Sequence, residues 1–275
     1  MHSTRLSTHA LDVSIGKIRI CDALNLSVAS GERWAILGRN GVGKSTLLMT
    51  LAGLRRPQHG ELNLCGVQTG VSPSAPALCV PSGTFSSHDL RRLAKIRGVL
   101  PQHQSDPFPA TVLETALVGR HPHLGRWDWE SEADRAIARQ ALAAVGLEDF
   151  AGREVHTLSG GERQRLAVAQ LLTQQPQLFL LDEPLTHLDL AHQVAVMDLF
   201  KAITADEATA TACIAILHDP GFAVRYCEHA LLLFGNGEWL AGRSQEIITA
   251  DNLSRLYGYP LREIRSDNDR WFIPR

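Results

Sequence analysis

The amino-acid sequence predicts an α/β fold, with helices packed on a sheet, a separate antiparallel β layer and an inserted helical unit. Three observations carry this expectation. Short apolar runs alternate with helix-forming stretches, as they do where strands and helices share one layered core. The run Arg33 to Leu37 empties into a glycine-rich turn, Gly38 to Gly43. The stretch Glu130 to Val145 sets Ala133, Ala136, Ile137, Ala141, Ala144 and Val145 on one helical face.

Each element follows from local chemistry. Leu11 to Ile20 and Leu24 to Val28 read as strands joined by turns, with Glu61 to Cys65 joining them in the antiparallel layer. Lys44 to Leu51 is helix-forming and is closed by Gly53. Val67 to Ser87 is rich in Ser, Pro, Gly and Thr and reads as a mobile surface loop, a tolerated insertion rather than a regulatory device. Thr111 to Val118 and Glu130 to Val145, stopped by Gly146, form a helical insert between the first and second core strands. Gln177 to Leu181 and Ala212 to Leu217 are the second and third core strands. Leu231 to Phe234, Gly235-Asn236-Gly237 and Glu238 to Ala241 read as a hairpin. No internal repeat is present, which excludes tandem copies of one unit.

Composition narrows the function. The 275 residues are 44% hydrophobic and 20% charged, a globular balance. Lys and Arg number 27 against 29 Asp and Glu, a formal net charge of -2. No global basic field exists to hold nucleic acid through many phosphates. The 5 cysteines (Cys21, Cys65, Cys79, Cys213, Cys227) never form a C-x-x-C pair and read as reduced thiols. Met1 to Ala10 is polar, so no secretory signal is expected. Apolar stretches such as Ala230 to Phe234 fall far short of the ~18 residues that cross a bilayer. A soluble chain is expected, with any membrane role supplied by a partner.

Gly38-Arg39-Asn40-Gly41-Val42-Gly43-Lys44-Ser45 matches G-x-x-x-x-G-K-[ST] in full. Glycines let successive backbone N–H groups converge on phosphate oxygens, and the following helix adds its positive end. Lys44 then reaches the β- and γ-phosphates, and the Ser45 hydroxyl ligates Mg²⁺. Leu178 to Leu181 is a buried strand that ends in Asp182 and Glu183. Two acids there are costly unless they face a cation or a reacting group. Asp182 suits Mg²⁺, and Glu183 suits a general base that polarises water.

Leu158-Ser159-Gly160-Gly161-Glu162-Arg163-Gln164-Arg165 opens a helix with a capping box, Ser159 to Glu162. It also exposes N–H donors and a hydroxyl suited to phosphate. This run resembles the signature motif of ABC ATPases. The resemblance continues in order through Gln102 after an apolar strand, Leu188-Asp189 after the acid pair, and His218 after the third strand. It implies a P-loop NTPase (RecA-like) core, with a first half and β-subdomain over 1–102. A helical subdomain over 103–172 ends in the signature, and the second half and tail follow over 173–275. It further implies a head-to-tail homodimer with two ATP molecules sandwiched between subunits. Lys44, Ser45, Thr46, Asp182 and Glu183 would act within one subunit, and Ser159, Gly160 and Gly161 across the interface. His218 would contact the γ-phosphate, Gln102 would sense Mg²⁺ and the transmembrane partner, and Asp189 would link the two sites.

Leu100-Pro101-Gln102-His103, Gly119-Arg120-His121-Pro122-His123, Thr186 to Gln193, Leu217-His218-Asp219 and Trp271 to Arg275 are similar to importers of iron-siderophore, haem and cobalamin type. That group implies ATP and Mg²⁺ as cofactors, and transmembrane permease subunits and a solute-binding protein as partners. It places the chain peripherally at the cytoplasmic face of the cell membrane, with no nucleic acid. His121 and His123 lack a third ligand for a metal. Trp127 and Trp129 suit core packing or surface docking equally. The family usually stacks adenine on an aromatic before a glycine, but Val13-Ser14-Ile15-Gly16 puts Ile15 there. Two rivals remain: a non-transport ABC ATPase of DNA repair or translation, and a metabolic kinase. The former would need long heptad inserts or tandem units, and the latter has no use for Leu158 to Arg165.

Overall fold

The computed structural model describes residues 3–66, 78–81, 87–102, 109–125, 127–266 and 269–275. Strands β1 (Thr4–Ile15) and β2 (Ile18–Ala29) open the chain as an antiparallel hairpin. The first strand expected, Leu11 to Ile20, is therefore two strands. Gly16 turns the chain at φ +56°, and Ile15 pairs with Ile18 across the turn. β3 (Arg33–Gly38) leads through the glycine turn into α1 (Lys44–Leu51). β4 (His59–Gly66) returns to pair with β1, Leu6 opposite Leu64, as the antiparallel layer requires.

The stretch read as a surface loop, 67–87, holds a further strand, β5 (Leu78–Pro81), paired with β4. Residues 67–77 and 82–86 of that stretch lie outside the described residues. The register sets Cys65 opposite Cys79, and Cys65 is disulfide-bonded. This corrects the reading of five reduced thiols: a cysteine count carries no information on which strands are neighbours. Cys21, Cys213 and Cys227 are free and buried, and burial pushes the Cys21 and Cys213 thiols up to about 12.

Then come α2 (Ser87–Ile96) and β6 (Arg97–Leu100), followed by the helical insert of α3 (Val112–Leu117), α4 (Glu132–Ala144) and α5 (Gly160–Gln174). Each helix of the insert opens on a capping box, from Thr111, Ser131 and Ser159. The buried stripe of α4 differs from the one expected. It is Asp134, Ala138, Ala141 and Leu142, continued by Val145, while Ala133, Ala136 and Ala144 are exposed. A buried acid rotates the face, because Asp134 pairs with the equally buried Arg120 at 2.7 Å.

The second half alternates β7 (Leu178–Asp182), α6 (Leu190–Ala205), β8 (Ala212–Ile216), α7 (Pro220–Tyr226), β9 (His229–Gly235) and β10 (Glu238–Arg243). It ends in α8 (Ser244–Ile247), α9 (Ala250–Tyr257) and the hairpin of β11 (Leu261–Ser266) and β12 (Asp269–Pro274). The main sheet runs β10-β9-β3-β8-β7-β6, all parallel except β10. Period-2 alternation gives each core strand two buried faces. Ala35, Leu37, Phe179, Leu181 and Ala215 meet the helices of the insert and second half, whereas Trp34, Ile36, Leu178, Leu180 and Ile214 meet α1 and the antiparallel layer. Among the described residues, no helix is long and apolar enough to cross a membrane.

Candidate nucleotide site

In a parallel sheet the carboxyl ends of the strands all point to one edge, and ligand sites of α/β folds form there. β3, β6, β7 and β8 deliver Gly38, Gln102, Asp182 with Glu183, and His218 to that edge.

The loop between β3 and α1 is shaped by its glycines. Gly41 and Gly43 sit at φ +78° and +102°, a region that side-chain-bearing residues rarely adopt. At Gly43 a Cβ would also lie 2.5 Å from the Ile20 Cδ1 of β2, so space and backbone both demand glycine. Ile20 is thus the floor of the loop, a role with no sequence signal of its own. The tip of the same hairpin carries Ile15, 40% exposed, and Ile18, 58% exposed. Asn40 is exposed in the loop, and Thr46 lies in the first turn of α1. Arg39 reaches away, its Nε donating to the Leu256 carbonyl of α9 at 2.9 Å.

Lys44 is buried, and its Nζ donates to the carbonyls of Gly38 at 2.8 Å and Arg39 at 3.0 Å. Burial lowers the affinity of its ammonium for the proton, and the facing carboxylates Glu183 and Asp182 oppose that effect. The Ser45 hydroxyl donates to Asp182 Oδ1 at 3.1 Å, joining the first turn of α1 to the end of β7. Asp182 is 2% exposed. A carboxylate and a hydroxyl converging on one point suit a hard divalent cation that keeps waters and takes phosphate oxygens. Among the described residues no group of three or more His, Cys, Asp or Glu comes together, and His123 Nε2 lies 2.8 Å from the Gln174 carbonyl.

Glu183 follows at φ +54°, an uncommon backbone for a residue with a side chain. Its Oε1 lies 2.8 Å from His218 Nε2, which comes from the end of the neighbouring strand β8. The carboxylate is mostly buried and the imidazole half exposed. Gln102 is exposed just beyond β6, beside the end of β7.

Ser159 to Gly161 lie at the start of α5. Ser159 caps α5, its N–H donating to Glu162 Oε2 at 2.6 Å and its Oγ accepting from the Glu162 N–H at 3.3 Å. Ser159 and Gly160 are exposed, and a Cβ on Gly161 would lie 3.0 Å from the His187 carbonyl. His187, at φ +65°, backs the motif, a support the sequence did not announce. Asp189 caps α6, accepting from the His192 N–H at 2.9 Å and contacting its Nδ1 at 2.7 Å. Those hydrogen bonds from His192 lower the proton affinity of the Asp189 carboxylate. One chain therefore gathers Lys44, Ser45, Asp182, Glu183 and His218, while Ser159, Gly160 and Asp189 are exposed at helix starts and Gly161 is half-buried beside them.

Residues 21–186 match the family described as ABC transporter. The chain is 36% identical over 271 residues to the hemin import ATP-binding protein HmuV of Burkholderia ambifaria, covering 95% of this chain and 96% of that protein. It is 35% identical over 246 residues to the petrobactin import ATP-binding protein FpuD of Bacillus anthracis, covering 88% and 82%. It superposes on the solved structure of a metal-chelate type ABC transporter in an inward-facing conformation with a TM-score of 0.81, at 28% identity, covering 99% of this chain and 98% of that one.

Proposed function

This chain belongs to the ABC transporter family, and on that footing we propose that its ATP hydrolysis, with Mg²⁺, drives import of a metal chelate such as a ferric siderophore, haem or cobalamin. The observation that carries the reading is the convergence of Lys44, Ser45, Asp182, Glu183 and His218 at one sheet edge. Gly38, Asn40, Gly41, Gly43 and Thr46 shape the phosphate cradle, and Lys44 turns from two loop carbonyls to the β- and γ-phosphates. Ser45, Asp182 and Gln102 would hold Mg²⁺, which when bound would neutralise charge on the transferred phosphoryl group. Glu183 Oε1 accepts the proton of the attacking water, and His218 Nε2 fixes that carboxylate and meets the γ-phosphate.

Ser159, Gly160 and Gly161 serve a second copy of the chain. The exposure of Ser159 and Gly160 at a helix start supports this. Asp189, on the neighbouring helix start, links the two sites. The dimer works beneath transmembrane permease subunits at the cytoplasmic face of the membrane, with a solute-binding protein delivering cargo. Trp127 and Trp129 are 83% and 88% exposed, which removes core packing as their role and leaves docking. The short α3 and α4 offer no coiled coil for a DNA-repair machine.

The test uses the chain with its permease in membrane vesicles. Glu183→Gln should keep ATP binding while turnover and chelate uptake fall together by about 10²–10⁴-fold. Turnover within about twofold of the natural protein would remove Glu183 from its role. Natural protein that hydrolyses ATP but moves none of the three chelates would remove the cargo assignment alone.

A further inference from the structure

At the opposite edge of the main sheet, where β7 and β8 begin, a cavity of about 710 Å³ separates the helical insert from the second half of the core. Ile137 of α4 and Leu172 of α5 form one wall, and Phe179, Leu199 and Ile203 the other. Gln140, Gln175, Gln177, Thr209 and Thr211 add polar groups to the lining, and Arg5 of β1 is the one charged residue lining it among those described. Arg5 is only 2% exposed. Its Nε donates to the Ala210 carbonyl at 2.9 Å, and among the described residues no carboxylate pairs with its guanidinium. Burial lowers its affinity for the proton with no acidic group opposing.

A buried cation without a counterion is costly, and an apolar residue would fill the same place at lower cost. The guanidinium is a planar fork whose unused N–H groups match the two oxygens of a carboxylate. One cation balances a single negative charge, whereas a phosphate dianion would meet no second cation here. The apolar walls suit a hydrocarbon body, and the volume falls within the range of small-molecule sites. We propose that this cavity binds a small amphipathic carboxylate, its anion on Arg5 and its apolar body between α4 and α6. Because its walls belong to the insert and to the core, an occupant would bridge the two.

Octanoate and its neutral isostere octanamide, titrated by calorimetry into the full chain, test this directly. Octanoate should bind saturably, once per chain, and at least about tenfold more tightly than octanamide. Arg5→Met should erase that preference. Ala144→Phe, an exposed α4 position at the cavity mouth, should weaken octanoate about tenfold without lowering the unfolding temperature. This second variant keeps the test decisive if Arg5→Met fails to fold. Equal affinity for the acid and the amide, unchanged octanoate binding in both variants, or no saturable binding at all would overturn the assignment.

Discussion

Replacing Asp134 by Asn should destabilise the protein by about 3 kcal/mol, the lower end of the cost of stripping one partner from a buried ion pair. Arg120 and Asp134 are joined at 2.7 Å with side chains 10% and 12% exposed. Arg120 Nη1 also donates to the Thr173 carbonyl at 3.2 Å and to Gln175 Oε1 at 3.0 Å, so the pair ties the end of α5 to α4. The other carboxylate oxygen of Asp134 accepts from the Ser131 N–H at 2.9 Å and from its hydroxyl at 2.6 Å. An asparagine has one acceptor oxygen for two sets of donors. Whichever way its amide turns, an NH₂ group faces either the guanidinium or the N–H of Ser131.

The protonation chemistry gives the same scale. The hydroxyl and N–H of Ser131, and then Arg120, hold the Asp134 carboxyl at about 2 instead of 3.8. A displacement of that size corresponds to about 2 kcal/mol for the charge alone. Because the folded value is depressed, this stability is fully present above pH 3.8 and is lost as pH falls toward about 2. Thermal unfolding followed by circular dichroism at pH 7 should show Asp134→Asn melting at least about 6 °C lower. The gap should hold down to about pH 5 and narrow in stronger acid. A variant melting within about 1 °C of the natural protein, or a gap indifferent to acid, would refute the argument.

Two further outcomes bear on the nucleotide site. Ser159→Arg should leave ATP binding to the single chain intact and block hydrolysis, while Lys44→Ala should abolish tight binding; mixing the two inactive proteins should restore part of the turnover through one intact composite site. Normal hydrolysis by Ser159→Arg alone would end the cross-subunit reading. Ile15, half exposed at the hairpin tip, offers adenine no π-face, so ATP and GTP should bind within about tenfold of each other, a gap of ~1.4 kcal/mol. Titration without Mg²⁺ should also show Ile15→Tyr tightening ATP, and a strong ATP preference unchanged by that substitution would place adenine recognition elsewhere.

The parts legible in the sequence are those whose chemistry depends on neighbours along the chain. Gly41, Gly43, Lys44 and Ser45 must follow one another closely to curl around a phosphate, so their spacing announces them. Asp182 and Glu183 are equally readable, because two acids ending an apolar strand need a reason to be there. The features the sequence hides depend on partners distant in the chain. The apolar residues of α4 alone predict a different face, and the stripe turns toward Asp134 because Arg120, which precedes the helix, supplies the opposite charge. Cys65 seemed one thiol among five until the β4–β5 register set it opposite Cys79. The strands β11 and β12 carry few buried residues, and Glu263 with Arg270 joins them at 2.6 Å, so apolar periodicity had little there to detect. Arg5 is the extreme case. It begins a strand in a polar stretch, where an arginine is expected to point into water, and only the packing of the insert against the core encloses it. A charge enclosed by distant segments leaves no periodic trace, so the cavity around Arg5 could be found only in the assembled fold.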